Sequence, residues 1–485
     1  MTRPTKPRKE GSSVEGKYKR LASNTLLFAI SNFSAKLLSI VLQPYITFAM
    51  GQVEEVGITK LVQNIGSLLI PLVSMGVSFA IIRFGLDEKV KKGAVFTGGL
   101  VTICLGFLLM LCFYPLLRLI PLFGEYALLL YVHVLVSCLR TWCTQFVRSR
   151  QLNRLVAVDG VLCSATNLGF MILFLSGFGL GARGYILAII CSDALSALFV
   201  FSVAGLGRFL RPRFFSSRLW RQMMAYALPM VPAQISFWVI NASDLFFVQA
   251  MCDGYQDQAG EYWTGLLGVG YFLPTILSVL GTIFYEAWQL SAVTEQEGRT
   301  RFFSRVFALY QSLLFCCCAG VILLCQPLMF LFKANFFDAW QFVPLLTVAT
   351  LFNCLNQFLN SIYMVEKRST LSLYTMLAGA VANCLLNWLL IPALGPNGVT
   401  LASLLSYMLV FLLRAVNTRG LMQMDFSPVR LLFNLLMVLA EAGLMIFQTP
   451  QWPLWCALLT AGVCAFNFQG VLGMARQLLG RRRRA

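Results

Sequence analysis

The sequence predicts an all-α polytopic membrane protein of about 14 transmembrane helices: two six-helix lobes related by a pseudo-two-fold axis along the membrane normal, plus two C-terminal helices. Three observations lead there. Of 485 residues 58% are hydrophobic and only 12% charged, about half the charged fraction that soluble domains carry. The apolar residues gather into runs near the ~20 residues that cross about 30 Å of hydrocarbon. A loop-and-helix pattern also recurs once along the chain, which sets the architecture.

The runs fall near 24–48, 57–81, 93–115, 126–147, 155–177, 184–205, 222–249, 264–287, 306–327, 341–363, 371–391, 399–415, 431–448 and 454–472. The loops between them are short, so neither face carries a separate soluble domain. With the N-terminus inside, 32 of the 38 Lys and Arg lie on the cytoplasmic side. Arg118, Arg183 and Lys333 lie opposite, and Lys36, Lys60 and Arg140 fall within spans. This asymmetry follows the positive-inside rule and puts both termini in the cytoplasm of a multi-pass cell-membrane protein. The formal charge of +18 is thereby a matter of topology. A basic inner face favours anionic lipid head groups and makes nucleic acid an unnecessary partner. The N-terminal stretch, MTRPTKPRKEGSSVEGKYKR, is polar and basic, without the small-residue cleavage site of a signal peptide, and predicts a disordered tail.

The repeat pairs GARGYILAIICS with GPNGVTLASLLS. Gly181, Gly184, Leu187, Ala188 and Ser192 match Gly395, Gly398, Leu401, Ala402 and Ser406 at one constant offset. The basic loops upstream, Asn153-Arg154 and Lys367-Arg368, keep that offset, and intramembrane Asn167 on one side answers Asn383 and Asn387 on the other. An even number of spans separates the copies, so both halves have the same orientation, and such bundles can rock about a central cavity. The expected organisation is a basic tail (1–23), an N-lobe (24–205), a basic linker (206–221), a C-lobe (222–415), spans 13 and 14 (431–472) and a second basic tail (473–485). Spans 13 and 14 are left as an accessory element packing on one half.

Polar residues at helical spacing show which faces avoid lipid. Span one carries Asn32, Lys36, Ser39 and Gln43; span two carries Lys60, Asn64, Ser67, Pro71, Ser74 and Ser78. Span seven carries Gln234, Trp238, Asn241 and Asp244, and span eight Tyr271, Thr275, Ser278, Thr282, Tyr285 and Gln289. Span ten carries Thr350, Asn353, Gln357 and Asn360. Together they suggest a cavity rich in hydroxyls and amides. Most of the Ser and Thr equally fit simple helix-to-helix contacts. A buried charge costs about 2.5–3.5 kcal/mol even on insertion scales, so Lys36 and Arg140 need water, a ligand, or a structural partner among Asp159, Asp193, Asp244 and Glu286. Lys60, Asp159 and Glu286 lie near predicted helix ends, where snorkelling satisfies them. Asp159, Asp193 and Asp244 are coupling-ion candidates because they are intramembrane acids. His133 and Glu441 have no assigned role.

Enzymatic chemistry finds no constellation here. There is one histidine, which leaves almost no room for His-ligated metal sites or His-based acid-base chemistry. The glycines of SGFGLGARG follow no strand, which removes a nucleotide loop. No cofactor is expected. The fifteen cysteines show neither metal-ligand nor disulfide spacing and read as small buried hydrophobes.

Several segments in order carry a family resemblance: NTLLFAISNFSAKLLSIVLQPYITFAMG, IIRFGLDE, YALPMVPAQISFWVINASDLFFV, FYEAWQLSAVTE, VPLLTVATLFNCLNQFLNSIYMVEKRSTLSL and LIPALGPNGVTLASLLSY. The chain resembles the polysaccharide or oligosaccharide flippases, of the O-antigen or capsule repeat-unit exporter type, within the multidrug/oligosaccharidyl-lipid/polysaccharide exporter superfamily. The resemblance implies two lobes around a V-shaped cavity, moving a polyprenyl-diphosphate-linked oligosaccharide from the cytoplasmic to the outer leaflet, with membrane lipids and polysaccharide assembly machinery as partners. The diphosphate would meet Lys36, Arg140 and Lys60, and the sugars the amides Asn32, Gln43, Asn64, Gln234, Asn241, Asn353 and Gln357. Arg83 resembles a recurrent family Arg at the inner end of span two, and Asp244 the family's Asp on span seven. Family members often follow that Asp with a basic residue; Leu245 stands here, which puts a direct salt bridge in doubt. A lipid II flippase and a cation-coupled multidrug exporter remain alternatives. The glycan, the coupling ion and the oligomeric state are left open.

Overall fold

The computed structural model describes residues 42–119, 124–294, 299–366 and 368–482. Among them the regular structure is helical: α1 Val53–Val73, α2 Val77–Leu86, α3 Lys92–Cys112, α4 Ala127–Ser149, α5 Asn153–Met171, α6 Gly181–Val203, α7 Ser217–Ala227, α8 Val231–Met251, α9 Gly260–Gly270, α10 Phe272–Thr294, α11 Arg299–Leu323, α12 Val343–Val365, α13 Ser369–Leu394, α14 Asn397–Arg419, α15 Pro428–Ile446 and α16 Trp452–Arg482. Eleven segments of the described residues are long and apolar enough to span a membrane. α8 and α16 fall at the predicted spans seven and fourteen, and the first predicted span lies almost wholly outside the described residues. Leu108, Leu198 and Trp388, all more than half exposed, are side chains that hydrocarbon would cover. This is a multi-pass membrane protein.

The chain divides into two compact units. One contains 69–231, the other 43–68 and 232–485, so α1 runs across the division. In the first, α4, α5 and α6 pack around one another; in the second, α12, α13 and α14 do the same. The first triplet starts at residues 127, 153 and 181, the second at 343, 369 and 397. The two triplets share the same internal spacing at an offset of 216 residues, two more than that of the loop repeat.

Three predicted spans differ in detail. Span two, read as continuous over 57–81, is broken at Ser74–Gly76, where Met75 and Gly76 both take positive φ. Pro71 inside α1 removes a backbone donor, and a Cβ on Gly76 would lie 2.9 Å from the Ala227 carbonyl. Span eight is likewise divided, α9 ending at Gly270 and α10 starting at Phe272. Span seven starts later than expected: residues 217–227 form the separate helix α7, capped by Ser216 accepting from Leu219 N at 3.4 Å. α7 buries Met223, Met224 and Ala227 while Arg218 and Arg221 stay exposed, an interfacial pattern.

The first unit is centred on Phe96, stacked on Trp142 with ring centroids 4.0 Å apart and tilted against Phe146 at 4.6 Å. The second is centred on Phe358, flanked by Trp288, Phe307 and Tyr310. α15 and α16, whose role the sequence left open, pack on α11 of the second unit. Reciprocal Asn434–Asn467 bonds at 3.2 and 2.8 Å hold them, with Arg430 donating to Asn467 at 3.1 Å and Thr460 to Glu441 at 2.8 Å. Glu441 is thus a structural acceptor between the last two helices. All fifteen cysteines are free thiols.

α1 and α9 approach through glycine. A Cβ on Gly57 would sit 2.0 Å from the Glu261 carbonyl oxygen, and one on Gly265 2.1 Å from that of Val53. No side chain fits there without parting the helices. Gly265→Leu is therefore expected to destabilise at or above the upper end of the about 1–3 kcal/mol typical of overpacking, seen as a lower thermal midpoint in detergent. An unchanged midpoint would mean that the helices do not pack at this distance.

Candidate functional site

In the second unit the polar stripes of spans eight and ten line two cavities that share Asn353 and Tyr407. The smaller, about 180 Å³, holds Asp244, Tyr271, Thr275, Ser278, Thr350 and Ser403. The larger, about 620 Å³, is lined by Tyr285, Asn356, Gln357, Asn360, Tyr363 and Arg414 among others. α12 supplies Thr350, Asn353, Gln357 and Asn360 at steps of three, four and three, which is one helical face. α14 supplies Ser403, Tyr407 and Arg414 in the same way.

Asp244 is 1% exposed and satisfied by neutral donors. Tyr271 Oη donates to its Oδ2 at 2.7 Å, Ser403 Oγ donates to the same oxygen, and Asn387 Nδ2 donates to Oδ1 at 2.8 Å. Asn387 also donates to Asn383 Oδ1 at 3.2 Å. Among the described residues no Lys or Arg pairs with Asp244, as Leu245 at the next position foreshadowed. Asn387 Oδ1 is buried without a donor among the described residues. An oxygen-rich pocket around one uncompensated carboxylate can take up a proton or a small cation.

Arg414 sits at the other end of the site and is 3% exposed. Its Nη1 donates to the Asn356 carbonyl at 2.7 Å and its Nε to Thr375 Oγ1 at 3.1 Å. Asn356 Nδ2 in turn donates to the Tyr407 carbonyl at 2.9 Å, and Ser372 Oγ donates to Asn360 Oδ1. A guanidinium has five N–H donors, so these two contacts fix its plane and leave others for the cavity. Counting charges by side tallies Arg414 with the cytoplasmic residues, although it stands at the end of the expected span 399–415. The structure corrects this: α14 continues to Arg419, and Arg414 lies on its cavity face. The phase shared with Ser403 and Tyr407 is the signal that could have found it.

The other candidates are dispersed. Asn32 and Lys36 lie outside the described residues, and the Asn241 side chain is not described, although its backbone belongs to α8. Gln43 and Gln234 are half-buried, each with one buried atom, Oε1 and Nε2 respectively, that finds no partner among the described residues. The Asn64 carbonyl accepts from Trp238 Nε1 at 2.8 Å, and the Lys60 methylenes lie against Gly268. Lys60 stands well inside α1, which starts at Val53, not near its end as expected.

In the first unit Arg83 is exposed, 5.0 Å from the Tyr226 ring centroid. Arg140 has found the structural partners that the sequence offered it. Its Nη1 contacts Asp193 Oδ1 at 3.2 Å, its Nε donates to Ser196 Oγ at 2.8 Å, and its Nη2 lies 3.9 Å from Asp159 Oδ2. Ser196 Oγ donates to Asp159 and Ser137 Oγ to Asp193, both at 2.5 Å, and His133 Nδ1 is 3.4 Å from Ser137 Oγ. Asp159, expected near a helix end, is 2% exposed inside this network. The three helices α4, α5 and α6 are thereby locked by one guanidinium between two carboxylates.

The family described as "Polysaccharide biosynthesis protein" matches residues 21–288. No curated protein has a significantly similar sequence. Among solved structures the chain is similar to the lipid II flippase MurJ in an inward closed conformation, at 14% identity and a TM-score of 0.69, with 94% of this chain and 100% of that chain covered. It is also similar to an inward-facing multidrug resistance MATE family transporter of the MOP superfamily, at 16% identity, 81% and 98% coverage and a TM-score of 0.63. A third is an outward-facing multidrug resistance MATE family transporter of the same superfamily, at 16% identity, 82% and 95% coverage and a TM-score of 0.55. Identities this low carry the fold alone.

Proposed function

The chain belongs to the polysaccharide biosynthesis protein family, and from that premise we propose that it flips a polyprenyl-diphosphate-linked oligosaccharide from the cytoplasmic to the outer leaflet by alternating access. The observation that carries this reading is the larger cavity of the second unit, where Asn353, Asn356, Gln357 and Asn360 stand with tyrosines and one buried arginine. Amides offer the paired donors and acceptors that sugar hydroxyls need. Arg414 offers a cation for the diphosphate, a task that Lys36 of the first span shares. The polyprenyl tail stays in lipid. Arg140, already held between two carboxylates, is left with a structural role. Asp244 is the coupling group: paired with neutral donors alone, it can exchange a proton or metal ion as exposure alternates. Both termini face the cytoplasm in this scheme, and the basic side meets anionic lipid and the enzymes that assemble the glycan.

Leaflet exchange in proteoliposomes tests the proposal, scored by access of a glycan-modifying enzyme to a polyprenyl-diphosphate oligosaccharide, with efflux of a cationic dye measured alongside. Sugar movement without dye efflux is expected. Dye efflux without sugar movement would replace the proposal by cation-coupled drug export with Asp244 as its site. Movement of lipid II in preference to other lipid-linked glycans would narrow the substrate to the peptidoglycan precursor.

A further inference from the structure

A second concave site lies in the second unit, at the end of the helices opposite the basic loops. It has a volume of about 430 Å³ and is formed by the loop between α8 and α9, the 3-10 segment Ala334–Phe342 and the start of α14. We infer that this site binds saccharide. Its lining combines the aromatic residues Tyr255, Tyr262 and Trp340 with the amides of Gln256, Gln258 and Gln341. A pyranose has an apolar C–H face that packs on aromatic rings and a rim of hydroxyls that each donate and accept. Asp338 and Asn397 complete the polar rim. Among the described residues no Lys or Arg lines the site, so a neutral glycan fits better than a phosphate.

The site is built rather than incidental. Tyr255 packs on the backbone of Gly395, where a Cβ would come within 2.5 Å of its ring and where φ is +59°. Trp263, 6% exposed, donates from Nε1 to the Tyr255 carbonyl at 3.0 Å, so the loop is tied to the helix behind it. Within the loop Gly254, Gln256 and Asp257 all take positive φ, closed by Gly254 N donating to the Gln258 carbonyl at 2.9 Å. Two adjacent non-glycine residues in that conformation cost free energy, and such strain clusters at ligand sites. Asn397 Nδ2 donates to Gln341 Oε1 at 3.3 Å, orienting that amide. Aromatic residues also collect at membrane interfaces as anchors, but anchors project into the headgroup layer, whereas these rings line a hollow among amides.

On the transport reading the site receives the sugar end of the substrate as it leaves; binding itself does not depend on that reading. The test is isothermal titration calorimetry of the purified full chain with maltotriose, cellotriose and chitotriose, in a detergent without a sugar head group, because a maltoside would occupy the site. Saturable binding of at least one trisaccharide is expected, with a dissociation constant of about 1–10 mM for so open a site. Trp340→Ala should weaken it about tenfold, and Gln256→Ala with Gln258→Ala, which trims two exposed side chains and keeps the backbone bonds of the loop, should weaken it as well. Lys89→Gln, exposed on the loop between α2 and α3 and outside both cavities, should leave it unchanged. No saturable heat from any of the three sugars, binding that survives both sets of substitutions, or binding lost only in Lys89→Gln would overturn the inference. Leaflet exchange is scored separately, so failure of one reading does not carry the other with it.

Discussion

Arg414→Gln is expected to slow leaflet exchange of the lipid-linked oligosaccharide by about 10- to 100-fold, from the about 1.5–3 kcal/mol that a charge-assisted hydrogen bond contributes. The guanidinium is nearly buried, held in plane by Asn356 and Thr375, and borders the cavity that four amides of α12 line. Glutamine keeps part of the volume and can still donate, so folding should suffer little: Thr375 Oγ1 retains its bond to the Ser372 carbonyl at 3.0 Å. Arg414→Lys should fall between, since it restores charge without the planar fork. Rates compared at equal protein content in the vesicles decide the matter. Exchange at the wild-type rate in the glutamine variant would remove Arg414 from the substrate path.

The second large effect is on stability. Asp193→Ala is expected to destabilise the first unit by about 1–3 kcal/mol, because it takes from Arg140 its 3.2 Å partner and from Ser137 its acceptor. Breaking a fully buried pair costs about 3–5 kcal/mol; the Arg140 side chain is 30% exposed and keeps Asp159 at 3.9 Å, so the figure is discounted for screening. The triple variant Arg140→Met, Asp159→Asn, Asp193→Leu should recover much of the loss, since it removes the guanidinium and both carboxylates together and leaves no charge uncompensated. Thermal unfolding of the single and triple variants decides between these outcomes. A normal thermal midpoint in Asp193→Ala, together with lost transport, would return this cluster to the transport path.

The two clusters show how far the sequence can be read. Period and composition are enough for the membrane class, for the repeat, and for the faces of α10 and α12, because lipid forces every polar side chain to one side of a helix and leaves a stripe of fixed spacing. Hydropathy does not reveal the break at Ser74–Gly76: a turn of small and apolar residues is as hydrophobic as the helix it interrupts. Asp159, Asp193, Asp244 and Glu286 are equivalent partners for Arg140 on paper, and only packing of α4 against α5 and α6 chooses the first two. Arg414 escapes a charge count because a charge near a helix end is tallied with the loop beyond it until the length of the helix is known. The saccharide site beside Trp340 joins segments far apart in the chain, so no local pattern announces it.

The C-terminal pair bears on how the chain enters the membrane in the first place. α15 carries Asn434 and Glu441, both fully buried, and their donors and acceptors, Thr460 and Asn467, are on α16. During synthesis α15 emerges first, with a carboxylate and an amide that have no partner yet. Moved into hydrocarbon alone, it would bear a penalty of a few kcal/mol for the charge; moved with α16, it brings its hydrogen bonds along. The last two helices are therefore expected to enter the bilayer together as a hairpin, and α15 expressed without α16 should insert less efficiently in a glycosylation-mapping assay.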